Sequence, residues 1–330
     1  MIISVVIPLY NKVSHVRRAV DSVLAQTCVD YELIIVNDGS TDGSDEVVRG
    51  VTDRRLRMIV QDNAGVAAAR NRGVSEAHSE LIAFLDADDE WAPDFLETVL
   101  ILRQRYPAAA IWATGFNNSS DANIKPARFH QADKTHELLA YFSDDSTWNE
   151  LTSSSVLISK DALQTVGGFP EGIVRGEDTD TWMRIALRYP IAWTSECKVT
   201  VFLDAENRTE SFNYIGNWPM FQSLRKYQRE CGVIATGQDQ VYRFLARRHT
   251  PLLQVNWLGN ERDALREIVR DCRRIRGFRL KCYLWYLLSW VPQPLVRLAW
   301  KLKSCAAGRG GNIDVSRFRN IRQSDRALYL

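Results

Sequence analysis

Short β-branched runs alternate with helical stretches before residue 90, and no other feature restricts the fold of this chain so tightly. Ile2–Ile7, closed by Pro8, reads as a buried parallel strand, as do Tyr31–Asn37, Leu56–Val60 and Leu81–Leu85. Between them, Val13–Ala25 places Val13, Val16, Val20, Val23 and Leu24 at helical spacing. Ser44–Val51 and the alanine-rich Gly65–Ala77 read as two more helices. This alternation predicts an α/β fold, a Rossmann-like, mostly parallel sheet flanked by helices, with ligands received at the carboxyl ends of the strands. Further on, Asp94–Tyr106 and Glu177–Tyr189 are expected as helices and Ser153–Ser159 as a strand. Residues 117–150 are polar and irregular, as an insertion or active-site loop would be.

The net charge of +2 hides a segregation. Residues 1–214 hold 20 Lys and Arg against 32 Asp and Glu, whereas residues 215–330 hold 22 against 8. Two parts are therefore expected, a catalytic domain over 1–215 and a basic helical extension over 216–330 suited to an anionic surface. The six cysteines lie far apart with no Cys-x-x-Cys pair, which argues against a zinc site, a redox dithiol or a disulfide framework. The first residues run straight into a strand without the basic region or cleavage site of a signal peptide, so the cytoplasm is the expected compartment.

Three polar loops sit where strands end: Pro8-Leu-Tyr-Asn11, Val36-Asn-Asp38-Gly-Ser-Thr-Asp42 and Phe84-Leu-Asp86-Ala-Asp88-Asp89. The dinucleotide fingerprint GxGxxG is missing after the first strand, and the chain has no GxxxxGK[ST] loop. Phosphates must be neutralised another way. Asp86, Asp88 and Asp89 offer the hard oxygen ligands that Mg²⁺ or Mn²⁺ prefers when it bridges substrate phosphates. The bland alternative is a solvated loop capping the helix at Asp94; placement directly after an apolar strand, beside two other polar loops, favours the metal.

The same loops, with Asn63-Ala-Gly-Val-Ala-Ala-Ala-Arg-Asn-Arg-Gly73 and with Gly167-Gly-Phe169 followed by Gly176-Glu-Asp178-Thr-Asp180, resemble the family 2 glycosyltransferases of the GT-A fold in order and spacing. The resemblance covers roughly residues 1–200. It implies an inverting enzyme that transfers a sugar from an NDP-sugar, UDP foremost, to a hydroxyl of a glycan or lipid-linked acceptor in cell-envelope polysaccharide assembly. It implies that Pro8, Tyr10 and Asp38 line the nucleobase pocket, that Arg70 helps hold the nucleotide, that Asp86 meets the ribose and that Asp88 binds Mg²⁺ or Mn²⁺. Asp89 is left without a settled role.

In an inverting transfer a carboxylate opposite the diphosphate takes the proton of the acceptor hydroxyl, while the metal serves the leaving group. The resemblance gives that role to Asp178, with Glu177 and Asp180 as rivals. Alone, these acids would simply decorate a helix N-terminus. Arg184 and Arg188 either meet the diphosphate or pair with the same acids at i,i+4 spacing. Phe278–Lys303 is apolar and aromatic and interspersed with Arg and Lys; its uninterrupted run, Tyr283–Val291, is nine residues, too few to span a bilayer, before Pro292 and Pro294 break it. Its Tyr and Trp residues suit an anionic membrane surface, and the alternative is a helical pair packed on the catalytic domain. Residues 306–330 read as a loose tail, and no nucleic-acid module is recognised. Two rival functions stand: a non-catalytic sugar-nucleotide or glycan-binding protein of the same fold, and a sugar nucleotidyltransferase, which would show a glycine- and basic-rich first loop.

Overall fold

The computed structural model describes residues 2–120, 123–126, 137–138, 151–173, 176–203, 253, 262–272, 279–288, 290–292 and 295. The chain divides into two compact units, residues 1–209 with 226–235, and residues 210–225 with 236–330.

The first unit is built on one sheet. Its strands are β1 (Ile3–Leu9), β2 (Tyr31–Asp38), β3 (Leu56–Gln61), β4 (Leu81–Phe84), β5 (Glu90–Trp91), β6 (Ile111–Ser120), β7 (Asn123–Pro126), β8 (Glu137–Leu138), β9 (Val156–Ser159) and β10 (Ile191–Phe202). They lie in the order β3-β2-β1-β4-β9-β6-β10-β5, with β7 on β6 and β8 on β10. Every residue of β1 and β2 is buried, as apolar strands covered on both faces must be. Strands β3, β2, β1 and β4 are parallel, as the alternation predicts, and β6 and β10 are parallel to each other. Between these two groups β9 runs antiparallel to both neighbours.

Helices α1 (Val16–Leu24), α2 (Ser44–Arg49), α3 (Val66–Glu76), α4 (Phe95–Arg105), α5 (Lys160–Thr165) and α6 (Glu177–Ala186) complete the unit. Each of the predicted strands and helices is present with ends shifted by a few residues. One reading is corrected: within 117–150, residues 117–120, 123–126 and 137–138 are strand rather than irregular, β7 pairing antiparallel with β6 and β8 with β10. Residues 121–122, 127–136 and 139–150 of that stretch lie outside the described residues.

Two motif residues fix how helices meet the sheet. Gly73, on α3, lies so close to β1 that a Cβ there would stand 2.3 Å from Val6 Cγ1. Phe169 is wedged edge-on between Phe84 of β4 and Trp182 of α6, at centroid distances of 5.2 and 5.7 Å. Aromatic pairs in this geometry orient as well as bury, so the Gly-Gly-Phe motif anchors the helix that carries Glu177 and Asp178.

In the second unit, helices α7 (Arg262–Cys272) and α8 (Arg279–Leu288) pack together. Leu265, Ile268 and Val269 form the buried stripe of α7, at the i, i+3, i+4 spacing of an amphipathic helix. The Arg266 guanidinium lies 4.5 Å over the Trp290 ring. Tyr283, Leu284, Leu287 and Trp290 are exposed. No helix among the described residues is long and apolar enough to cross a membrane. The expected tail, 306–330, lies outside the described residues.

Candidate active site

The loops after β1 and β2 are laced together at the carboxyl edge of the sheet. Asn11 adopts a left-handed backbone with φ of 49°. Its amide donates to Ser40 Oγ at 3.1 Å, and its side-chain Oδ1 accepts from the Thr41 amide at 2.8 Å. The Lys12 amide donates to Ser44 Oγ at 2.8 Å, and Asp42 Oδ2 accepts from the Val13 amide at 2.9 Å. Pro8 is buried, while Tyr10 presents its ring to solvent with 44% exposure.

Asp38 is buried and accepts three hydrogen bonds, from Gln61 Nε2 at 2.8 Å and from the Ala64 and Gly65 amides at 2.9 Å. It therefore closes the loop that leads into α3. The first residues of that helix bring Arg70 inward. Arg70 is 3% exposed, and its guanidinium donates to Glu177 Oε1 and to Asp86 Oδ1, both at 2.7 Å. Burial works against its charge, but the carboxylates of Asp86, Glu177 and Asp178 outweigh that and raise its pKa. Asn71, the next residue, brackets Phe169: its Oδ1 accepts from the Phe169 amide and its Nδ2 donates to the Phe169 carbonyl, both at 2.8 Å. Gly168 (φ 69°) has no room for a side chain, since a Cβ would stand 2.7 Å from Asn71 Oδ1. Two motifs about a hundred residues apart thus hold each other.

The Asp86–Asp89 turn is closed by its own backbone, the Asp89 amide donating to the Asp86 carbonyl at 3.0 Å. Its side chains diverge. Asp86 faces Arg70. Asp88 Oδ2 accepts from the Lys12 ammonium at 2.8 Å, with exposures of 14 and 12%. Asp89 is buried and accepts from Ser154 Oγ at 2.6 Å. The short turn Ser153–Ser155, which the sequence reading counts only as the start of a strand, is the hub. Ser154 Oγ also accepts from the Asp86 amide at 3.1 Å, and Ser153 Oγ donates to Asp178 Oδ2 at 3.4 Å. Lys12, Arg18, Ser153 and Ser154 are site residues for which the sequence carries no distinguishing signal. Asp178 also accepts from the Thr179 amide and hydroxyl.

Of the rival acids, Asp180 is fully buried and receives Arg184 Nε at 2.7 Å. Arg184 also donates to the Val166 and Gly168 carbonyls. It pairs at i,i+4 within α6 and braces the Gly-Gly-Phe turn rather than facing a ligand.

With this geometry in place, the comparisons with known proteins can be read. Residues 4–167 match the family model described as glycosyl transferase family 2. The domain belongs to glycosyl transferase family 2. The chain is similar to the glycosyltransferase GlyA of Streptococcus pneumoniae, 39% identical over 99 residues, which cover 29% of this chain and 14% of that protein. It is 31% identical to the hyaluronan synthase of Pasteurella multocida over 189 residues, or 56% of this chain and 19% of that one. The chain thus spans less than a fifth of the length of either relative. In fold it is similar to S. aureus TarS residues 1–349 solved with UDP, with a TM-score of 0.72, 15% identity and 92% of each chain covered. A mannosyltransferase from Pyrobaculum calidifontis, solved with GDP-Man and Mn²⁺, gives a TM-score of 0.51 at 16% identity, covering 95% of this chain and 77% of that one. The sheet with its flanking helices is the GT-A fold.

Just beyond the matched residues, Glu177 and Asp178 are adjacent carboxylates in unlike surroundings. Burial first, then the charge of Asp178, pushes the Glu177 carboxyl up to about 7, against the lowering pull of Arg70. Among the described residues no three His, Cys, Asp or Glu side chains gather as a metal cage. The donor set still fits a hard divalent ion. Asp88 already draws a cation, and one or two carboxylates with phosphate oxygens and water suffice for Mg²⁺ or Mn²⁺.

Proposed function

We propose that the family 2 domain is an inverting glycosyltransferase that takes a sugar from an NDP-sugar, with UDP as the nucleotide, and delivers it to a hydroxyl of a glycan or lipid-linked acceptor. The observation that carries this reading is the Arg70 bridge. One guanidinium ties Asp86, on the donor side, to Glu177, the neighbour of Asp178.

In this reading Tyr10 stacks on the uracil beside Pro8, and Asp38 holds the loop lining that pocket and offers its remaining acceptor position to the base N–H. Asp86 accepts from the ribose, and Arg70 acts on the nucleotide through Asp86. Asp88 would hold Mg²⁺ or Mn²⁺, which supplies when bound the positive charge that stabilises a departing diphosphate. Asp178 accepts the proton of the acceptor hydroxyl. Ser153 and Thr179 orient its carboxylate toward that task. Glu177 is engaged by Arg70 and nearly enclosed, so Asp178 is the better-placed base.

Calorimetric titration of UDP, GDP and TDP, with and without Mn²⁺, tests the donor half. Metal-dependent binding of UDP is expected. Folded protein that binds none of the three would favour a non-catalytic glycan-binding protein, and release of pyrophosphate instead of NDP would favour a nucleotidyltransferase.

The acceptor is proposed to be presented at a membrane's inner face. Exposed Tyr283, Leu284, Leu287 and Trp290 on and after α8, in the stretch 215–330 that holds 22 basic against 8 acidic residues, suit an anionic lipid surface. Sedimentation with phosphatidylglycerol vesicles but not with phosphatidylcholine vesicles is expected. Equal partition to both, or to neither, would remove the membrane from the reading.

A further inference from the structure

The ion pair between Lys12 and Asp88 is left unused by the transfer reading. It joins the residue that would hold the metal to a cationic side chain from another loop. The backbone of Lys12 is set by its surroundings. Asn11 before it is held in the left-handed region by two hydrogen bonds to the Ser40–Thr41 turn, and the Lys12 amide donates to Ser44 Oγ. From that position the side chain reaches Asp88 Oδ2 at 2.8 Å. Both partners are largely shielded, so the attraction is much less screened than at a free surface. Arg18 steadies the same residue from behind, donating to the Asp88 carbonyl at 2.6 Å with its guanidinium 3.4 Å over the Phe202 ring.

An ammonium on Oδ2 occupies the lone pair and the charge that a divalent ion would use there. The two cations repel as well as exclude each other. A diphosphate beside Asp88 changes the balance, because it offers the flexible lysine stem several anionic oxygens in place of one carboxylate. We propose that Lys12 is a resident counter-cation that keeps the metal off Asp88 until a donor diphosphate draws its ammonium away, so that metal and nucleotide bind cooperatively. This rests on Asp88 being the metal ligand. Lys12 is then a positioning residue, and the coupling is reciprocal: UDP tightens Mn²⁺ by the same factor as Mn²⁺ tightens UDP.

Mn²⁺ titrations followed by electron paramagnetic resonance, on the full chain with and without saturating UDP, test the proposal in wild type, Lys12→Met, Lys12→Arg and Asp88→Asn. Wild type is expected to bind Mn²⁺ about tenfold more tightly with UDP than without, within the usual range of coupling between sites. Lys12→Met should bind Mn²⁺ alone about tenfold more tightly than wild type and lose most of the gain from UDP. Lys12→Arg should restore the wild-type pattern. A wild-type Mn²⁺ affinity indifferent to UDP overturns the proposal without recourse to any variant. So does Lys12→Met binding Mn²⁺ alone no better than wild type while Asp88→Asn loses it; the metal reading then survives. Mn²⁺ binding untouched in Asp88→Asn overturns both.

Discussion

Replacing Arg70 by methionine removes the guanidinium that joins the two halves of the candidate site, and its cost can be worked from the surroundings. The guanidinium carbon lies 5.5 Å over the Phe169 ring, and methionine keeps an unbranched apolar chain of similar reach. What is lost is charge. Asp86 is 31% exposed and can turn to water, so its share is small. Glu177 is 10% exposed and cannot. Breaking a buried pair by removing one partner costs about 3–5 kcal/mol, because the remaining charge stays in a poor solvent. Glu177 has an escape, which is to take up a proton. Its carboxyl stands at about 7 in the folded protein against an ordinary 4.5, raised by burial and by Asp178 and lowered by Arg70. Without Arg70 the folded-state value moves higher still. A carboxyl whose folded pKa is raised contributes its stability below the unfolded value and loses it as pH climbs through the folded value. The deficit of Arg70→Met should therefore be small at pH 5 and grow to about 1–2 kcal/mol at pH 8, about one pH unit above the folded value. Urea unfolding followed by tryptophan fluorescence at the two pH values reads it. A deficit that is the same at both, or below about 1 kcal/mol at pH 8, would refute the argument. Adding Glu177→Gln to the variant should flatten the pH dependence.

Asp178→Asn should leave the affinity for UDP unchanged in calorimetry and lower kcat by about 10²–10⁴-fold, the usual worth of a general base; weakened UDP binding would move the residue to the donor side. Gly73→Ala should destabilise by about 1–3 kcal/mol although alanine is the better helix former, because its methyl would stand 2.3 Å from Val6 Cγ1. Thermal melts of the variant with and without Val6→Ala would show relief if the clash is the cause. Far from the site, burial pushes the Glu32 carboxyl up, but hydrogen bonds from the Ser4 hydroxyl and from the His78 amide and ring outweigh it and hold it at about 2. Because a depressed carboxyl stabilises above its unfolded pKa of 4.5 and loses that contribution as pH falls through about 2, Glu32→Gln should cost about 1–3 kcal/mol at pH 7 and roughly half as much at pH 3. Urea midpoints at the two values decide it.

The architecture of the donor half was legible in the residues because its signals are local. Ile3–Leu9 and residues 31–36 are mostly apolar, and a strand covered on both faces accommodates that; the polar loops at their ends then lie on one edge of the sheet by topology alone. Strands β5, β6, β8 and β10 went unread for the opposite reason. Ile111–Ser120 turns polar after Thr114, and Glu90–Trp91 is too short to carry a period. The same limit applies to the site. Sequence could place Asp38, Asp86 and Asp88 in loops and Asp178 at a helix start, but not say which carboxylate faces a cation, a hydroxyl or water. The tertiary structure decided that Arg70 meets Glu177 across 107 residues, Asn71 meets Phe169 across 98, Lys12 meets Asp88 across 76 and Ser154 meets Asp89 across 65. Hydrophobic periodicity encodes what a residue does relative to its own element. Which two polar side chains become partners depends on how separate elements pack, and that is settled by the jigsaw of Gly73 on Val6 and Phe169 between Phe84 and Trp182, which no spacing in the chain displays.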